Sequence, residues 1–146
     1  MKLNQLSLFM ENKPGQLKVP CKILSQAGIN IITLSLADTQ QFGILRLIVK
    51  DWQKARQALE SNGCVVNVTE VLAVDVSDRP GGLYEILEII DDAGLAIEYM
   101  YAFTTGPQAQ KATMVFRFEN PDAAIKALSA KGINPVGPAD LFARIS

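Results

Sequence analysis

The chain has 146 residues, is 49% hydrophobic and 20% charged, and carries a net charge of −1, the composition of an ordinary globular protein rather than a disordered or fibrous one. With no basic excess there is no field to gather nucleic acid or an anionic membrane. The absence of histidine removes Ser-His-Asp and Cys-His nucleophiles, imidazole acid–base chemistry and His-ligated zinc together. Cys21 and Cys64 are far apart and form no Cys-x-x-Cys motif, so buried free thiols in a reducing cytosol are expected. No apolar run approaches the ~18 residues of a membrane span, and the opening MKLNQLSLFMENK does not read as a signal peptide. A cytoplasmic chain is expected.

In chain order, LNQLSLFM reads as a strand, followed by a polar turn ending in Pro14-Gly15 and a helix carrying Leu17, Cys21 and Leu24. Pro20 falls inside that helix and predicts a kinked or delayed start. Two extended runs follow, INIITLSLA and GILRLIV, then a helix with Asp51 at its start and Ala55, Ala58 and Leu59 on its inner face, then the strand VVNVTEV. The same order then repeats. VLAVDV leads to a turn ending in Pro80-Gly81, and Leu83, Ile86, Leu87 and Ile90 form an i, i+3, i+4, i+7 stripe closed by Gly94. LAIEYMYAF and ATMVFRF are the next two runs, Asn120-Pro121 supplies a cap and a first helical position, and a short INPV precedes the tail PADLFARIS.

The repetition is in the letters as well as the order. At an offset of 66, Pro14, Gly15, Leu17, Ile23, Gly28 and Ile31 fall on Pro80, Gly81, Leu83, Ile89, Gly94 and Ile97; further on, at 69, Ala55, Ala58, Leu59 and Gly63 fall on Ala124, Ala127, Leu128 and Gly132. Three added residues are therefore expected in a hairpin near Gly106-Pro107. Residues 1–70 and 71–146 are thus two domains, each an α+β ferredoxin-like βαββαβ unit with an antiparallel sheet and helices on one face. Their charges differ, +3 for the first and −4 for the second. A ~60-residue unit is marginal alone, so the two are expected to pack together.

The turns Asn12-Lys13-Pro14-Gly15-Gln16-Leu17 and Asp78-Arg79-Pro80-Gly81-Gly82-Leu83 each join a strand to a helix start, where backbone N–H groups and the positive dipole end favour a carboxylate. Glycine admits a ligand close to the backbone, and Asn12 or Asp78 suits an ammonium group or a helix cap. A small zwitterion would satisfy both ends, although Pro-Gly before a helix is also ordinary turn chemistry. Tyr99, Tyr101 and Phe103 share a strand face and suit either a core or an aromatic pocket. Glu85, Glu88, Asp91 and Asp92 read as a solvated helix face.

The spacing of NKPGQL to AGINI, and of DRPGGL to AGLAI, resembles the ACT domain, a small-molecule-sensing module of amino-acid metabolism, and the resemblance spans the chain as a tandem pair without a catalytic domain. It implies paired sheets of eight strands and an amino acid held by one or both loops against second-strand residues of the opposite repeat, Ile32, Thr33 and Leu34 or Tyr99, Met100 and Tyr101. Asp78 stands where the pattern has asparagine. The implied protein is a non-enzymatic regulator, a homodimer by analogy, with no cofactor and a metabolic enzyme as candidate partner. An RNA-recognition module shares the element order but needs basic and aromatic strands that GILRLIV and ATMVFRF do not supply. No catalytic constellation is legible. The competing expectation is a structural or protein-interaction module without a ligand.

Overall fold

The computed structural model describes residues 1–104 and 110–145. The expected three-residue expansion at Gly106-Pro107 lies outside them. The chain forms two compact units, Asn4–Thr69 and a second made of Met1–Leu3 with Glu70–Ser146.

In the first unit, β1 (Leu3–Glu11) leads to α1 (Lys18–Gln26), then β2 (Ile31–Thr39), β3 (Phe42–Val49), α2 (Trp52–Ser61) and the start of β4 (Val66–Ser77). The strand order is β2-β3-β1. Leu6 and Leu8 of β1 lie opposite Leu47 and Leu45 of β3, and cross-strand partners share a face. That face carries the core, in which these leucines and Val49 pack with Ile23 and Leu24 of α1 and Ala55 and Leu59 of α2. Pro20 does not kink α1. The helix starts at Lys18, which puts the proline in the first turn, where its missing N–H would have had no intrahelical partner.

In the second unit, the rest of β4 is followed by α3 (Gly82–Asp92), β5 (Ile97–Phe103), β6 (Lys111–Phe118), α4 (Pro121–Ala130) and α5 (Pro138–Ile145), with strand order β4-β6-β5. Leu72, Val74 and Val76 of β4 and Met114, Phe116 and Phe118 of β6 form one core face with Ile86 and Ile90 of α3 and Ala124 and Leu128 of α4.

Two expectations change. The described residues carry six strands rather than the eight implied, because VVNVTEV and VLAVDV form the single strand β4 and INPV contributes only a bridge between Val136 and Ala73. The tail is a helix. Arg144 of α5 donates to Asp75 at 2.9 Å, and Asp75 lies opposite Thr113, on the sheet face away from α3 and α4. Leu141 of α5 is fully buried. Helices on one face thus describes α1 to α4, and α5 covers the other face of its own unit. The cysteines are free thiols, half-buried rather than buried; partial burial raises the Cys64 pKa.

Two caps fix helix starts. Asp51 Oδ1 accepts from Lys54 N at 3.1 Å, and Asn120 Oδ1 from Ala123 N at 3.1 Å. Asp51→Ala and Asn120→Ala are each expected to cost about 1 kcal/mol. Lying in different units, they should add to about 2 kcal/mol in the double variant, read by urea denaturation; a cost near zero for either would contradict the capping role.

Candidate functional site

Both candidate loops follow the end of a strand and precede a helix. In the first unit Asn12 N donates to Gln41 O at 2.9 Å, which ties the loop to the β2–β3 hairpin. The Asn12 amide also donates to Asp38 Oδ1 at 3.1 Å and to Gln40 O at 3.4 Å, while Asp38 accepts from Gln40 N at 2.9 Å and so holds Gln40 at φ +69°. Lys13 pairs with Glu11 at 2.8 Å, an ammonium that holds the Glu11 carboxyl below its usual pKa. Pro14 and Gly15 turn the chain, Gly15 at φ +88°, a conformation open to glycine at little cost. Gln16 is half-buried and Leu17 is exposed.

The second loop is built on the same plan. Asp78 N donates to Gln110 O at 3.0 Å, the counterpart of the Asn12–Gln41 bond, and Gly81 sits at φ +87°. The acidic group has changed place: Asn12 and Asp38 of the first unit correspond to Asp78 and Thr104 of the second. At this pair of corresponding positions each unit therefore has one carboxylate, on the hairpin in one unit and on the loop in the other. Arg79 binds Glu85 at 2.7 Å and the Pro80 carbonyl at 3.2 Å, so it is folded onto the start of α3.

Gly82 shows why the two helix starts differ. A Cβ there would lie 2.0 Å from the Ser77 carbonyl oxygen, so only glycine lets α3 begin against the end of β4. The first unit has Gln16 at this position, and α1 begins two residues later than its counterpart. No side chain caps either helix: Leu17 and Gly81 hold the cap positions, so Asn12 and Asp78 are left to the hairpin or a ligand. Because Gly81 has positive φ, a branched residue there is strained by the backbone before any ligand arrives. Leu83 is half-buried against the second core.

The second-strand candidates do not join the loop of their own unit. Thr33 and Leu34 lie opposite Ile48 and Leu47, with Ile32 at the irregularity before them. They are roughly 13 to 20 Å along β2 from Asp38. Tyr99, Met100 and Tyr101 lie opposite Arg117, Phe116 and Val115, so Tyr101 is about 13 Å along β6 from the Lys111 end that meets the Asp78 loop. By register Tyr99, Tyr101 and Phe103 share the face away from α3 and α4, half-buried. The hairpin residues Asp38, Gln40, Gln41 and Gln110 were missed by motif reading; polar residues after an extended run were the available signal.

Two shallow grooves also correspond at an offset of 66. One, about 410 Å³, lies where α1 meets β2 and includes Cys21, Leu24, Ser25 and Ile31. The other, about 570 Å³, lies where α3 meets β5 and includes Leu87, Ile90, Asp91 and Ile97. Among the described residues no group of three Cys, Asp or Glu is placed to hold a metal ion, and no helix is long and apolar enough to cross a membrane.

Residues 1–144 match the model of the ACT domain pair family. The chain belongs to that family. Among solved structures, a protein of Bacteroides thetaiotaomicron is 37% identical over 97% of this chain and 96% of its own, with a TM-score of 0.89. The ligand-free regulatory subunit of aspartate kinase from Thermus thermophilus shares the fold of this ACT pair at 18% identity and a TM-score of 0.62, over 87% of this chain and 91% of that one. The corresponding subunit from Thermus flavus has 17% identity and a TM-score of 0.59, over 87% and 90%. No curated protein matches the chain. The family and the two-repeat fold expected from the motif therefore stand.

Proposed function

We propose that this ACT pair is a cytoplasmic, non-catalytic regulator that binds a free amino acid through Asn12–Leu17, Asp78–Leu83 or both. The observation that carries the reading is the duplicated turn: a glycine at φ +88° or +87° before a helix start whose cap position no side chain fills, with Asp38 or Asp78 at the same end. Backbone N–H groups at the helix start take the carboxylate, and Asp38 or Asp78 takes the ammonium. Arg79 and Lys13, each already paired with a glutamate, play no more than a rim part.

Ile32, Thr33 and Leu34, or Tyr99, Met100 and Tyr101, complete a site from another repeat, since none reaches the loop of its own. The working form is a homodimer, and the regulated partner is a metabolic enzyme. Occupancy acts by favouring one arrangement of the repeats over another, which requires different affinities for the two. The similarity to regulatory subunits of aspartate kinase supports this reading.

Asp78→Ala tests the loop. Its side chain is exposed, so the fold should be kept while amino-acid affinity, read by calorimetry, falls roughly tenfold, the loss of about 1.4 kcal/mol expected for one charge-assisted contact. Unchanged affinity in a binding protein would place the ligand elsewhere.

A further inference from the structure

The two loops share a plan but differ in what is left to bind. In the first, the carboxylates are already engaged: Glu11 by Lys13 at 2.8 Å, and Asp38 Oδ1 by the Asn12 amide at 3.1 Å and by Gln40 N at 2.9 Å. An ammonium group arriving at Asp38 has to compete with donors already in place, so it gains only the difference between the two sets of hydrogen bonds. In the second loop Glu85 is taken by Arg79 at 2.7 Å, which leaves Asp78. Its carboxylate is exposed, and among the described residues nothing donates to it or pairs with it. Its backbone N–H, bonded to Gln110 O at 3.0 Å, holds the residue in place while its side chain stays uncommitted.

The helix starts differ in the same sense. Gly82 lets α3 begin directly after Gly81, against the end of β4, whereas α1 begins two residues further from its loop. The third helical residue, whose N–H has no acceptor within the helix, is Tyr84 in α3 and Pro20 in α1, and proline has no N–H to offer. Gln16 also places a half-buried side chain where the second loop has none.

We infer that each chain holds one amino acid, in the second loop, with Asp78 as the specificity-determining residue for its ammonium group, and that the first loop is a latch tying its turn to the β2–β3 hairpin. The inference rests on the reading of this chain as an amino-acid binder and narrows it from two loops to one. Selection follows from charge. A carboxylate favours a free ammonium over the hydroxy-acid counterpart of the same ligand, which brings only a neutral donor.

The test is amide NMR on the isotope-labelled full chain, titrated with an equimolar mixture of the twenty amino acids and then with whichever of them reproduces the shifts. Signals of Gly81, Gly82, Leu83 and Tyr84 are expected to move and saturate, while those of Gly15, Gln16 and Leu17 stay in place. Movement in the first loop, alone or together with the second, would overturn the inference and leave amino-acid binding standing. No movement anywhere in the chain would refute the amino-acid reading itself, and movement elsewhere with both loops silent would overturn both. Asp78→Asn removes the charge and keeps the shape, and asparagine is the residue that the first loop carries at this position. Its affinity should fall roughly tenfold or more, and its preference for the amino acid over the hydroxy acid should shrink with it. Affinity and preference equal to those of the wild type would overturn the role of Asp78.

Discussion

Gly82→Ala is expected to lower stability by about 3 kcal/mol, the upper part of the range for forcing a methyl group into filled space. The obstacle is backbone, since the new Cβ would sit 2.0 Å from the Ser77 carbonyl oxygen and 3.0 Å from its carbon. Ser77 cannot withdraw easily: its strand is paired to Lys111 of β6, and its carbonyl accepts from Arg79 N at 2.9 Å. Relief comes by unwinding the start of α3 toward the later start that α1 has with Gln16. Thermal denaturation should show a drop of about 10 °C. Gly137→Ala is the control, because its Cβ would meet nothing within 4 Å, and it should stay within about 0.5 kcal/mol. Equal stability of the two variants would mean that Gly82 is not the wedge between β4 and α3.

Leu141→Ala should cost about 3 kcal/mol, the transfer term plus the cavity left where a fully buried leucine stood. This side chain anchors α5 to the sheet face that α3 and α4 leave open. By contrast, the Arg144–Asp75 ion pair at 2.9 Å has side chains 39% and 20% exposed, and Arg144→Met should cost no more than about 1 kcal/mol. The comparison separates packing from charge as the force that docks the helix. Chemical denaturation reads both, and a loss in Arg144→Met larger than in Leu141→Ala would reverse the assignment.

The repeat made most of the fold legible in the sequence. An offset that keeps Pro-Gly turns, apolar stripes and closing glycines in step fixes element type and order without knowledge of packing. What escaped was decided by pairing. VVNVTEV and VLAVDV meet at Val71 with no turn residue between them, so a strand ending one repeat and a strand beginning the next fuse into β4, and with INPV reduced to a bridge the count among the described residues falls from eight to six. α5 lies in the tail PADLFARIS, where Pro138 at its start and Leu141 within one turn are a helical signal. Of the kink or delay expected from Pro20, the structure shows the delay: α1 begins at Lys18, two residues later than its counterpart α3, with Gln16 where α3 has Gly82.

The candidate loops were legible because they rest on local chemistry, proline and glycine before a helix. The groups that meet them were not, because they arrive by strand pairing. Asp38 and Gln41 reach Asn12 from the far end of a hairpin, and the exchange of Asn12 and Asp38 for Asp78 and Thr104 is visible only once the hairpin is known to lie beside the loop. The same pairing separates Ile32–Leu34 and Tyr99–Tyr101 from the loops of their own units.

The central claim is that this ACT pair binds a free amino acid, and the direct measurement is the melting temperature of the purified chain in the presence of each of the twenty in turn. A ligand of the native state at about 100 times its dissociation constant adds roughly 2.7 kcal/mol, or about 5 to 11 °C for a chain of this size. The account predicts such a shift with one or a few amino acids, reduced in Asp78→Ala. No shift with any of the twenty would contradict it and leave a protein-interaction module as the reading.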